Sequence, residues 1–350
     1  MLRMKIAIVV SALTLVGSCA TTKYTTQIQN IKDSIVLVDS TLVVKYAKTI
    51  TPNELSKHLY KFSADTFEGR KTGESGQKLA AKYLKSYYIS EHIESPISRL
   101  NYYQTIPNSF LPKNTKVSEN VLAFIKGSEK PDEVVIISAH YDHLGFSNEG
   151  KINNGADDNA SGTSAIMEIA QAFELAKNNG HSPKRSILFL HLTAEEIGKY
   201  GSDYYTQYPI FTLANTVSDL NIDMIGRVDK AHINNKNYIY LIGSDRLSKE
   251  LHYLSEKVNE AYVNMDLDYR YNVEHEDNHY FERSDQYNFA IQGIPVIFYF
   301  NGVHEDYHQP TDTAEKIDYN LLAKRAKLIF ATTWQLANQN NRIVIDKLTN

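Results

Sequence analysis

From Glu133 onward the chain alternates short apolar runs with longer mixed ones. The apolar runs are Val134–Ser138, Ile187–Leu192, Val217–Ile222, Tyr238–Ile242 and Pro295–Phe300. They lack apolar–polar alternation, which predicts strands covered on both faces. Helices are expected between and after them, over Gly162–Ala176, Asp203–Tyr208, Leu247–Asn264 and Leu321–Asn338. This order predicts an α/β fold, a three-layer sandwich with a mostly parallel, mixed central sheet flanked by helices.

The preceding region reads as scaffold. Thr51 suits an N-cap, Pro52 the first helical position and Glu54 the close of a capping box. Leu55, Leu59 and Phe62 then give that helix one apolar face. A loop, Phe67-Glu68-Gly69-Arg70-Lys71-Thr72-Gly73, leads to a second helix from about Ser75, with Leu79, Ala80, Tyr83 and Leu84 as its expected apolar face. Residues 96–132 carry Pro96, Pro107, Pro112 and Pro131, so an irregular segment with one strand, Val121–Ile125, is expected there.

The first residues follow other rules. Arg3 and Lys5 precede an apolar stretch, Ile6 to Val16, too short to span a bilayer. Val16-Gly17-Ser18-Cys19 follows and resembles a bacterial lipobox, in which cleavage precedes a cysteine that becomes lipidated. Residues 1–18 are therefore expected to be a lipoprotein signal peptide and 19–50 a tether. Residues 51–350 are expected to form a single domain. The implied location is the bacterial cell envelope, with a membrane anchor through Cys19. Ala20 is not the acidic residue associated with inner-membrane retention, which favours the outer membrane, facing the periplasm or the surface.

Composition narrows the picture. A 350-residue chain with 42% hydrophobic residues can bury a large core. Its net charge of −4 argues against nucleic acid as the main partner. Cys19 is the single cysteine, so the mature chain has no internal disulfide and no thiolate for catalysis or metal binding. Nothing in the sequence speaks to oligomeric state.

Chemistry concentrates at the predicted strand ends. His140 and Asp142 follow the first run, Asp157 and Asp158 come before a helix, and Glu195 and Glu196 follow the second run. Asp223 follows the third, and His304, Glu305, Asp306 and His308 follow the last. In open α/β sheets the ligand site lies beyond the carboxyl ends of the strands, so these groups are expected to converge. Imidazoles and carboxylates without thiols suit catalytic zinc, with manganese or cobalt as other options. The inventory exceeds one open tetrahedral site and suits two metals sharing a carboxylate.

The motifs His140-Tyr141-Asp142, Asp158-Asn159-Ala160-Ser161-Gly162, Glu195-Glu196, Asp223-Met224-Ile225-Gly226 and His308-Gln309-Pro310-Thr311-Asp312-Thr313 resemble, in this order, those of the bacterial zinc aminopeptidase family, metallopeptidase family 28. The likeness spans roughly residues 51–340 and takes in Phe67-Glu68-Gly69-Arg70 and Asn120-Val121-Leu122. It implies a zinc exopeptidase-like fold and two zinc ions per chain, held by His140, Asp158, Glu196, Asp223 and His308, with Asp158 bridging. It implies Asp142 as the residue that orients His140, and Glu195 as the general base for a metal-bound water. Asp157 is left as a loop or capping residue, and His275, His279 and His304 as surface or pocket-wall histidines. Arg283, Ser284 and Asp285 match a segment that lines the pocket and are expected to contact substrate.

The implied substrates are peptides with a free N-terminus. Alternatives in the same fold are a single-zinc glutaminyl cyclase and a zinc carboxypeptidase. The carboxypeptidases insert a lid domain between the last two ligands, and the stretch from Asp223 to His308 has no room for one. A lipoprotein that binds peptide or metal without turnover is the non-enzymatic alternative.

Overall fold

The computed structural model describes residues 25–346; the expected signal peptide and Cys19 lie outside the described residues. An eight-stranded mixed sheet forms the middle layer. Its strands are β1 (Tyr103–Ile106), β2 (Ser118–Ile125), β3 (Lys130–His140), β6 (Arg185–Leu192), β7 (Thr216–Ile222), β8 (Tyr238–Ile242), β9 (Asp266–Asp268) and β10 (Val296–Phe300). A separate small hairpin pairs β4 (Gly145–Phe146) with β5 (Ile152–Asn153). The sheet order is β1-β2-β6-β3-β7-β10-β8-β9. Strands β6, β3, β7 and β10 run parallel, while β2 and β8 pair antiparallel at their flanks. Every residue of β6, β7, β8 and β10 is buried, including the polar Ser218, Asp219 and Asn221 of β7.

Successive residues of a strand face opposite layers. One set, including Val135, Ile137, Ile187 and Phe189, packs beneath most of the helices: α2 (Ser40–Ala47), α3 (Pro52–Phe62), α4 (Ser75–Ser90), α5 (Gly162–Asn178), α7 (Lys249–Tyr262) and α10 (Tyr319–Asn338). The alternate set, including Val134, Ile136, Leu188 and Leu190, meets Tyr205 and Phe289 from the shorter α6 (Tyr200–Gln207) and α9 (Gln286–Ala290). This is the three-layer sandwich anticipated from the hydrophobic pattern.

Local signals hold where the side chain bonds the backbone. Thr51 accepts the Glu54 amide at 3.3 Å and donates to the Glu54 carboxylate at 2.6 Å, which starts α3 where expected. On α4 the expected apolar face is rotated. Ala80 and Leu84 are buried as expected, but Leu79 is 46% exposed and Ala81 and Tyr88 are buried in its place. The segment before Asn120 holds two strands, because Tyr103–Ile106 pairs along the outer edge of β2.

The expected tether needs the larger correction. A helix over 25–34 (α1) and α2 precede the domain, and Ile35, Val43, Tyr46 and Ile50 belong to the main core. Tyr46 stacks on Trp334 of α10 with centroids 5.8 Å apart. Gln335 accepts the Val38 amide at 3.0 Å and donates to the Val36 carbonyl at 2.9 Å. The polar composition of this stretch hid a few well-spaced apolar residues that close the α10 face.

Two predictions follow from this packing. A chain starting at Thr51 loses four buried apolar side chains, each worth about 1.5–3 kcal/mol. Urea unfolding should show a lower midpoint for it than for a chain starting near residue 25, and equal midpoints would restore the tether. The second concerns His191 on β6, whose Nε2 accepts the Tyr88 hydroxyl at 2.6 Å. Burial pushes its pKa down from 6.5 to about 3. Between those values the unfolded chain binds the proton and the folded chain does not. Stability should therefore fall as pH drops below 6.5, by up to about 1.4 kcal/mol per pH unit. In His191→Gln the loss of stability between about pH 6.5 and about pH 5 should be shallower. An unchanged slope would clear His191.

Candidate metal centre

The four parallel strands end together, and their loops carry the ionisable groups. His140 is the last residue of β3, Glu195 and Glu196 follow β6, Asp223 follows β7, and His308 lies in the loop after β10. Asp158 sits on the turn Ala156–Ser161 that leads into α5, and its peptide bond to Asn159 is cis. The convergence anticipated from strand ends is present.

Asp158 stands between two sets of ligand-type atoms. Its Oδ1 is 3.3 Å from His140 Nε2, which is also 3.3 Å from Asp223 Oδ1. Its Oδ2 is 3.0 Å from His308 Nε2, which is 3.3 Å from Glu196 Oε2. Donor atoms of His140, Asp158 and Glu196 all lie within 4.8 Å of one another. All five sequence-predicted ligands are therefore gathered, and Asp158 is the only one of them that faces both sets.

The supporting contacts refine the expected roles. His140 Nδ1 donates to the backbone oxygen of Asp142 at 3.2 Å, while the Asp142 carboxylate stands 3.9 Å away. The tautomer of His140 is thus set by a carbonyl. The Asp142 carboxylate accepts the Thr72 hydroxyl at 2.6 Å and the Glu195 amide at 3.2 Å, so it ties the His140 loop to the Glu195 loop. Asp157 is not aimed at the ligands. It accepts the Gly226 amide at 2.6 Å and faces His304 Nε2 at 3.1 Å. Asp312 accepts the amides of Asp157 and Asp158 at 2.9–3.1 Å and fixes the turn that presents Asp158.

Arg70 braces the site from behind. Fully buried, it donates to the carbonyls of Tyr141 and Gly155 at 2.9 Å, Asn154 at 2.8 Å and Phe62 at 2.6 Å. Burial lowers its pKa to about 10, with Asp158 and Asp142 opposing that shift, so it remains cationic at neutral pH. The left-handed Gly155 leaves no room for a side chain, since a Cβ there would sit 2.5 Å from the His143 ring.

Among the residues expected to touch substrate, Arg283 and Ser284 line the cleft. Ser284 also donates to Asp223 Oδ2 at 2.6 Å, which makes it a support for a ligand. Asp285 is a correction. It is fully buried and accepts the Ser202 hydroxyl of α6 at 2.5 Å, away from the cleft. Its position beside an exposed arginine obscured the turn of the chain between them.

Sequence reasoning missed His143. Its Nδ1 lies 2.6 Å from Glu196 Oε1, leaving Glu196 Oε2 toward His308. The signal was the second histidine of His140-Tyr141-Asp142-His143. Sequence reasoning anticipated Tyr280, within the Tyr-rich run from Tyr269 to Tyr287, but missed the rest of the cleft wall, Met224, Phe298, Phe300, Val303 and Tyr307. Those residues are scattered over the chain and meet only when β10 lies beside β7 and β8.

The electrostatics fit a divalent cation. Burial alone would lower His140, yet Asp223, Asp158 and Glu195 hold its pKa well above the ordinary value. Burial likewise opposes protonation of His308, and Asp158 and Glu196 raise it to about 10. The carboxylates thus draw protons onto both imidazoles. Divalent cations would satisfy the same field and displace those protons. A donor set of imidazoles and carboxylates with no thiol matches zinc. Glu195 differs from the rest. Its side chain makes no hydrogen bond, and burial with Glu196 and Asp223 nearby raises its pKa well above a carboxylate's range despite the opposing His140.

The profile of Peptidase family M28 matches residues 120–333. A probable zinc metalloprotease of Pyricularia oryzae is 28% identical over 279 residues, covering 66% of this chain and 52% of its own length. The chain spans about half the length of that curated relative. The Legionella pneumophila LapA aminopeptidase structure is similar with TM-score 0.69 at 21% identity, over 88% of this chain and 77% of that one. Bacteroides thetaiotaomicron glutaminyl cyclase bound to N-acetylhistamine reaches 0.62 at 16% identity, over 83% and 99%. At such identities these two structures speak to the shared fold alone. The family profile spans more than half of the chain and every predicted ligand position, and the chain belongs to peptidase family M28.

Proposed function

We propose that the protein is a two-zinc aminopeptidase that removes N-terminal residues from peptides. One observation carries the reading: the two oxygens of Asp158 address separate histidine–carboxylate pairs, His140 with Asp223 and His308 with Glu196. A single-zinc cyclase needs only one such pair. When bound, zinc supplies Lewis-acid polarisation of the scissile carbonyl and acidifies an attacking water.

The chain's own residues supply the rest. Ser284 and the Asp142 carbonyl orient Asp223 and His140. Glu195 is the one cleft carboxylate left out of the ligand set, and its loop is pinned through the Asp142–amide bond. It is positioned to take a proton from the attacking water and to pass it to the leaving amine. The acidic floor of the cleft favours a substrate ammonium, and the apolar wall of Met224, Phe298, Phe300 and Tyr307 receives the N-terminal side chain. Envelope anchoring through a lipid on Cys19 completes the reading.

Two outcomes are expected. Glu195→Gln should bind two zinc ions per chain by metal analysis and lose about 10²–10⁴-fold in turnover of aminoacyl-p-nitroanilides. One zinc per chain together with pyroglutamate formation would point to the cyclase, and normal turnover would remove Glu195 from its role. In a bacterial host, radiolabelled palmitate should enter the wild-type chain and be lost in Cys19→Ala. Equal labelling would end the lipid-anchor reading.

A further inference from the structure

Of the residues that line the cleft, Asp158, Glu195, Glu196 and Asp223 are carboxylates, and the one lysine or arginine is Arg283. Other arginines are committed elsewhere. Arg70, Arg185 and Arg325 are buried on backbone carbonyls, Arg227 pairs with Asp306, and Arg270 pairs with Asp268. Arg283 is exposed, and its guanidinium lies over the Tyr280 ring, 5.2 Å from its centroid. It has no carboxylate partner among the described residues. An arginine that ignores the acidic groups around it, at the mouth of an acidic cleft, is available to a ligand.

Its platform is fixed. Tyr280 packs on Phe300 of β10 at 5.2 Å and on Tyr271 at 4.6 Å. The next residue, Ser284, is bonded to Asp223 at 2.6 Å and accepts from Asn221 at 2.9 Å. The Arg283 backbone is therefore anchored one residue from the serine that bonds a proposed metal ligand, and its guanidinium is felt by both Tyr280 and Tyr307 across the cleft. Each further residue of an extended substrate lies about 3.5 Å on. Arg283 lines the same cleft as the proposed ligands, where a carboxylate close to the scissile bond would lie.

We propose that Arg283 is a specificity-determining residue that recognises a substrate carboxylate within one residue of the scissile bond. This rests on the aminopeptidase reading above. A planar guanidinium suits bidentate pairing with a carboxylate, and the Tyr280 face holds it in place for that. The carboxylate has two possible sources: the side chain of an acidic N-terminal residue, or the free C-terminus of a dipeptide.

The test uses the zinc-loaded full chain and paired probes. The first pair is glutamyl- against leucyl-p-nitroanilide, and the second is Leu-Gly against Leu-glycinamide. Wild type should favour the carboxylate-bearing member of one pair by about 10- to 100-fold in kcat/KM. Preference in the first pair assigns the acidic side chain, and preference in the second assigns the dipeptide terminus. Arg283→Gln should bring that ratio toward one, and Arg283→Lys should keep part of it. Calorimetry with Leu-Gly and Leu-glycinamide analogues whose peptide bond is reduced, and with glutamate- and leucine-derived hydroxamates, gives a readout independent of turnover. Carboxylate-dependent binding that is lost in Arg283→Gln, with no hydrolysis of any probe, would uphold Arg283 and defeat the aminopeptidase reading. No discrimination in binding or turnover, or discrimination that survives Arg283→Gln, would overturn the proposal.

Discussion

Asp158, Glu195, Glu196 and Asp223 share one cleft with Asp142 buried behind it, and so many carboxylates cannot be brought out of water together without positive charge. The rest of the structure follows from that constraint. His140, His143 and His308 face the carboxylates, and Arg70 lies behind them. The parallel strands β6, β3, β7 and β10 deliver these groups from one edge of the sheet, so residues remote in sequence meet at hydrogen-bond distance. Divalent cations are the economical solution, because each offers two charges in a volume that the converging donor atoms can surround.

Loops that pass under such a site have backbone groups that no strand or helix satisfies. Buried side chains take that role. Arg70 collects carbonyls from the His140 and Asp158 loops, and Asp312 collects the amides of Asp157 and Asp158. Asn159 donates to the Ile222 carbonyl and accepts the amides of Gly162 and Met224, which ties the Asp158 turn to the end of β7. Much of what looks like catalytic equipment in the sequence is therefore equipment for holding backbone. Asp157 and Asp312 are acidic, lie beside ligands, and do their work on N–H groups.

That distinction explains what the sequence made legible. The strands were readable because a doubly covered strand is largely apolar, and His140, Glu196, Asp223 and His308 were readable because each follows such a strand, whereas Asp158 was picked out by its likeness to the family motif. His143 was not, because whether a second histidine of a motif meets Glu196 depends on a loop conformation. Asp285 was misplaced for the same reason: Ser284 and Asp285 are neighbours in sequence, and one faces Asp223 while the other faces α6. The stretch from Ile35 to Ile50 was taken for a tether because its contribution is to a surface, α10, whose exposed apolar face is visible only once the sheet is assembled. Leu79 failed on α4 because a helical stripe can be rotated by one position without disturbing its periodicity.

The two sides of the cleft are built differently, and this bears on how the site can vary. The ligand side is set by strand ends and by buried side chains, such as Arg70, Asn159 and Asp312, that each bond more than one loop. A change there disturbs several loops at once. The opposite side consists of Tyr280, Arg283, Val303 and Tyr307, carried on a four-residue helix (α8, Tyr280–Arg283) and on the loop after β10. Tyr280 is held by aromatic packing on Tyr271 and Phe300, and Tyr307 stacks on His308 at 3.8 Å. Such contacts tolerate substitution of a neighbouring exposed side chain far better than a committed hydrogen-bond network does. Arg283 can therefore be substituted without loss of the carboxylate cluster, and the two sides are coupled through Ser284, which follows Arg283 and bonds Asp223, and through the Tyr307–His308 stack.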